Sequence, residues 1–113
     1  MSDLIEQAIE TSAGGEHLAA LVKALRAHSD EIRELGVISL DIFGSRVRGD
    51  ERRDSDLDVL ITYDPARPFT LYDLIRVKRL LERLTGLTVH VSTRDGFRPH
   101  RLHRVLRDAV SVL

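Results

Sequence analysis

Gly44-Ser45-Arg46-Val47-Arg48-Gly49, followed after a charged loop by Asp54-Ser55-Asp56-Leu57-Asp58-Val59-Leu60-Ile61, is the stretch that decides how this chain is read. Just before it, Val37-Ile38-Ser39-Leu40-Asp41-Ile42-Phe43 is short and rich in β-forming residues, which predicts a strand that Gly44 ends. Asp56 to Tyr63 predicts a second strand. Between them, the charged run from Arg46 to Asp54 with its internal Gly49 reads as a short helix or turn and then a loop. Side chains alternate along a strand, so Asp56 and Asp58 share one face, while Leu57, Val59 and Ile61 take the other and pack inward.

Each half of the stretch suggests chemistry. Two carboxylates this close repel unless a cation lies between them, and hard oxygen ligands suit Mg²⁺. An isolated Asp-x-Asp is more often a solvated strand start, so the pair needs a second signal. Gly44-Ser45 supplies one. Glycine lets the main chain approach a phosphate, and Ser45 opens a helical turn whose free N–H groups attract anions. The Ser45 hydroxyl can donate to a phosphate oxygen, and Arg46 or Arg48 could neutralise further charge. The bland alternative is a strand-ending glycine with solvated arginines. A P-loop is excluded, because Asp50 stands where the phosphate-binding lysine is required. Together the two halves fit metal-assisted phosphoryl or nucleotidyl transfer.

Working outward, the spacing of Leu18, Leu21, Val22, Leu25, Ile32 and Leu35 predicts helix up to Gly36, divided near Ser29-Asp30, where either residue can cap a new start. Thr70 and Asp73 form a capping box. Leu71, Leu74, Ile75, Leu81 and Leu84 are expected to bury one stripe of the helix that follows, which Gly86 closes. Leu87 to Ser92 predicts a third strand, 98–108 a last helix, and 110–113 a terminal strand. In that helix Leu102, Val105, Leu106 and Ala109 face inward. Arg94, Arg98, Arg101 and Arg104 face outward as a solvated row, with partner binding as a minor alternative. The expected domain is 16–113, preceded by an extension over 1–15 that forms a short helix or is disordered, since Gly14-Gly15 breaks it.

A chain of 113 residues makes one domain, and 42% hydrophobic with 31% charged residues describes ordinary globular composition. With no cysteine, disulfides and thiolate metal sites are excluded. No apolar run reaches membrane-spanning length and the N-terminal residues are acidic, so a cytoplasmic protein is expected. A net charge of −1 argues against general nucleic-acid binding. The charge is uneven, however. Over 76–107 nine basic residues face only Glu82 and Asp95, so one end offers positive potential to an anionic ligand or partner.

The combined motif resembles the Gly-Ser…Asp-x-Asp signature of DNA polymerase beta-like nucleotidyltransferases. More narrowly, the chain from about residue 30 onward, including Leu102 to Val110, resembles the minimal nucleotidyltransferases that pair with HEPN-domain toxins in toxin–antitoxin modules. The resemblance implies an α/β (α+β) fold with a small mixed sheet and helices packed on one side. It implies Gly44 and Ser45 at the triphosphate of ATP, and Asp56 and Asp58 on Mg²⁺ or Mn²⁺. It further implies AMP transfer to a hydroxyl, a tyrosine of the HEPN toxin, with this chain as antitoxin. A third carboxylate is expected on the third strand, where Thr88-Val89-His90-Val91 places His90 instead. Imidazole is a poor Mg²⁺ ligand but can act as a base or favour a softer metal. The alternative is a weakened fold that neutralises or scaffolds its HEPN partner by binding alone. A third, lesser reading is a stand-alone transferase acting on a small hydroxylated molecule or an RNA end. Asp41 and Asp95 are weaker substitutes for the missing carboxylate, Arg52 and Arg53 could reach a nucleotide from the loop, and His100 with His103 is more plainly a solvated pair than a metal site. The exposed faces of 71–85 and 98–108 suit a homo-oligomer as readily as partner binding.

Overall fold

The computed structural model describes residues 15–50 and 56–113. Helix α1 (Gly15–Arg26) and helix α2 (Ser29–Glu34) lead into strand β1 (Val37–Phe43) and the single turn α3 (Ser45–Arg48). Strand β2 (Leu57–Tyr63), helix α4 (Leu71–Thr85), strand β3 (Val89–Thr93) and a 3-10 turn (Arg94–Gly96) follow. Helix α5 (Pro99–Asp108) and the short strand β4 (Val110–Ser111) complete the order. The anticipated extension over 1–15 lies almost wholly outside the described residues, as do Arg52, Arg53, Asp54 and Ser55.

The four strands form one mixed sheet in the order β3-β2-β1-β4. β1 runs antiparallel to β2 and to β4, whereas β2 and β3 are parallel and are joined by the α4 crossover. Register assigns the faces. Leu40 opposes Ile61 and Ile42 opposes Val59. Leu57 opposes Val89. These residues are fully or almost fully buried, in one cluster with Leu18, Val22 and Leu25 of α1 and Val77 and Leu81 of α4. On the other face Phe43, Asp58 and His90 form one cross-strand row, and Ser111, Asp41, Leu60 and Ser92 the next.

Helix α4 is fixed at both ends. The Thr70 and Asp73 capping box is present, and Gly86 takes the left-handed C-cap conformation. Its buried stripe is Val77, Leu80 and Leu81, with Leu74 and Leu84 packed beside it. Leu71 and Ile75 are a correction to the expected stripe, because both are exposed (73% and 38%). Helical spacing identifies a face but not the point at which that face runs out of a partner. Lys78 and Glu82 then clamp the helix to β3: Lys78 Nζ donates to Glu82 and to the Val89 carbonyl, while the Val89 amide donates to Glu82 at 3.0 Å.

The division near Ser29 is present, but the α2 N-cap is His28, whose ring lies 2.8 Å from the Glu31 carboxylate. One-sided packing describes α1, α2 and α4, and α5 is the exception. None of its ten residues is buried among the described residues, and it faces the Phe43 and Asp58 side of the sheet. Phe97, just ahead of α5, sets an edge against Phe43 with ring centroids 6.2 Å apart.

Candidate nucleotide and metal site

At the end of β1 the chain turns through Gly44 with φ +83° and ψ −153°, a region essentially closed to any residue bearing a Cβ. A side chain there would also collide with the Asp58 carboxylate, whose Cγ would lie 3.2 Å from the added carbon. The motif's two halves are therefore in direct contact. Gly44 is required both for its backbone angles and for the space that Asp58 fills.

The α3 turn is anchored on two sides. Val47 is buried in the main core, and Arg46 is only 4% exposed, with its Nη1 2.9 Å from His17 Nε2 of α1. Arg46, one of the expected phosphate contacts, is thus buried against α1. It holds α3 onto α1, whereas Arg48 is exposed and lines the open cleft beside Gly44 and Asp58. Arg48 also pairs with Asp50 at 3.3 Å. Ser45 is half-buried at the first position of α3, and its carbonyl accepts from the Gly49 and Asp50 amides. As the first residue of the turn, its own amide has no partner within the helix.

Asp58 is half-buried, and burial is the chief reason its carboxyl titrates above the ordinary value of 3.8. The neighbouring His90 and Arg48 oppose that rise, and Asp56 adds to it by like-charge repulsion. Asp56 itself is exposed at the entry to β2. His90 lies beside Asp58 across the parallel pair, with Nδ1 3.6 Å from Oδ1, an ion-pair distance too long for a hydrogen bond. Its side chain is 72% exposed, so it overlooks the site rather than packing into the core.

The weaker candidates separate clearly. Asp95 accepts from the Thr93 and Tyr63 hydroxyls, which hold its carboxyl below the usual range. It sits at the Tyr63 end of β2, five residues and about 16 Å along the strand from Asp58. Asp41 shares the Asp58 face, and burial raises its carboxyl against the pull of Arg94. Among the described residues no group of three or more His, Asp or Glu gathers into a metal site, His100 and His103 included. The Asp56 and Asp58 pair nevertheless fits a hard divalent cation. It offers two carboxylates on one edge, one of them partly desolvated and repelled by the other, beside a glycine that leaves its oxygen clear.

Phe43, Gly44, Arg48 and Asp58 form one wall of a cleft of about 500 Å³, and Arg101, Arg104, Val105 and Asp108 of α5 form the other. The α5 arginines were expected to be merely solvated. Their spacing gave one signal, since 101, 104, 105 and 108 fall on a single helix face.

A mixed sheet carrying a Gly-Ser turn against an Asp-x-Asp strand defines the nucleotidyltransferase class, and sequence comparison agrees. The family described as nucleotidyltransferase domain matches residues 25–112, so the chain belongs to that family. It is 34% identical over 96 residues to the protein adenylyltransferase MntA of Thermococcus cleftensis, a match covering 84% of this chain and 95% of that protein. A Methanocaldococcus jannaschii protein, named provisionally as a protein adenylyltransferase, is 37% identical over 78 residues, covering 69% of this chain and 82% of its own length. A solved structure described as a minimal nucleotidyltransferase superposes with a TM-score of 0.64 at 35% identity, covering 79% of this chain and 93% of that one.

Proposed function

We propose that the chain transfers the adenylyl group of ATP, with Mg²⁺ or Mn²⁺, to a hydroxyl of a protein, and that the acceptor is a tyrosine of a HEPN-domain toxin for which it is the antitoxin. The observation that carries this reading is the contact between Gly44 and the Asp58 carboxylate, which joins a phosphate-approaching turn to a cation-binding pair. The names of the relatives support a protein acceptor. HEPN rests on the motif resemblance. A cytoplasmic setting is part of the same reading, and no helix among the described residues is long and apolar enough to cross a membrane.

In the reaction the acceptor oxygen bonds to the α-phosphorus, the bond to the bridging oxygen breaks, and pyrophosphate leaves with that electron pair. Gly44 and Ser45 hold the phosphates by main-chain approach and N–H donation. Asp56 and Asp58 would hold the metal, which when bound neutralises developing phosphate charge. In this reading His90, exposed and 3.6 Å from Asp58, accepts the acceptor's proton.

His90 also supports a second reading, in which the site is weak and the chain acts by binding its partner alone. Incubation with labelled ATP, Mg²⁺ or Mn²⁺ and a HEPN partner separates the two. Transfer is expected in the native chain, with about a hundredfold loss in Asp56→Ala and a gain in His90→Asp. Tight partner binding without transfer by the native or the His90→Asp chain would overturn the enzyme reading. Full activity in Asp56→Ala would overturn the site.

A further inference from the structure

Across the cleft from Gly44, helix α5 offers a basic stripe. Arg101 and Arg104 are exposed, one turn apart, and both line the cleft that Arg48 and Asp58 line from the sheet. Arg104 makes no hydrogen bond or ion pair with any described residue, so its guanidinium is uncommitted. Arg101 lies over the Phe97 ring, 5.6 Å from its centroid, and Phe97 in turn abuts Phe43, the residue before Gly44. That aromatic chain holds the Arg101 stem in place at small cost and leaves its N–H fork available. Three guanidiniums then meet two carboxylates, Asp58 and Asp108, in a space within the usual range for a small-molecule site. A guanidinium fork matches phosphate oxygens in pairs, and paired contacts of this kind are the strong ones.

We propose that Arg101 and Arg104 bind the polyphosphate of the nucleoside triphosphate, closing on it from the side opposite Gly44 and Ser45. The assignment rests on the transferase reading for the identity of the ligand, but not for the existence of an anion site. Arg107, on the same helix but outside the cleft lining, is the natural control. An acidic protein surface is the competing occupant of the same stripe, and the test separates the two.

Calorimetric titration of the full chain with inorganic tripolyphosphate in EDTA, and with ATP, reads the site without turnover. Arg101→Gln and Arg104→Gln should each weaken tripolyphosphate binding about tenfold, and ATP binding in parallel. Binding of AMP should change less than twofold, Arg107→Gln should match the native chain, and Arg104→Lys should recover part of the loss. All substituted positions are exposed, so unchanged melting temperatures are expected and would show that the variants fold. If native chain and variants bind tripolyphosphate equally, the arginine assignment is overturned while the transferase reading stands. If the variants instead lose only a HEPN partner's binding, the stripe is a protein-docking face and the assignment is likewise overturned. If the native chain binds neither ATP nor tripolyphosphate, both readings fall.

Discussion

The two faces of the sheet are built from alternate residues of the same strands and do opposite work. On β2, Leu57, Val59 and Ile61 are completely buried against α1 and α4. On the opposite side Asp58 and Thr62 are half-buried, and Leu60 between them is covered. The first face supplies apolar burial, while the second carries a partly desolvated carboxylate, an exposed histidine and a glycine in a conformation few residues adopt. A one-residue slip of register would exchange the two, so the buried face also aims the site. Stability and chemistry are therefore separable by substitution, and the separation can be tested.

The largest expected effect lies on the buried face. Leu81 of α4 is 0% exposed, and Leu81→Ala should cost about 3 kcal/mol in urea unfolding. Leu102 of α5 is only half-buried, and Leu102→Ala should cost about 1 kcal/mol. Equal costs would mean that α5 belongs to the same core and the contrast between the faces is false. Next comes Gly44→Ala, where the turn must change its backbone angles or displace the Asp58 carboxylate. Stability should fall by about 2 kcal/mol, and AMP transfer by roughly a hundredfold as the motif halves shift apart. Retained transfer would show that their contact is incidental.

Much of this was legible beforehand because its causes are local. The β1 bounds follow from a run of β-formers ended by glycine, and the ends of α4 from a capping box and a C-terminal glycine. The facing of Asp58 follows from strand alternation alone. What was not legible depended on distant partners. Arg46 stands inside the Gly-Ser motif, yet it is buried, with its guanidinium against His17, 29 residues upstream. The spacing of the α5 arginines put them on one face, but only the packing of Phe97 on Phe43 shows that this face overlooks Asp58. Leu71 keeps the rhythm of the buried stripe and is exposed all the same.

The smallest effect carries the most pointed test of the polar face, because its sign is opposite to that of most substitutions. Burial raises the Asp58 carboxyl above 3.8, and Asp56 adds to the rise, so the native chain holds that proton to a higher pH than the unfolded chain does. Between those two values the native state binds more protons, and stability must fall as pH increases through the window. At neutral pH the ionised Asp58 is thus a net burden on the fold. Asp58→Asn removes the charge and nearly preserves the shape. It should raise stability at pH 7, read as a higher Tm, while abolishing transfer. The gain should disappear in acid, below the ordinary carboxylate range, where the native Asp58 is protonated in both states. A lower Tm at pH 7, or a gain that persists in acid, would mean that the Asp58 charge is compensated in the free protein. The like-charge strain that favours a cation between Asp56 and Asp58 would then be missing.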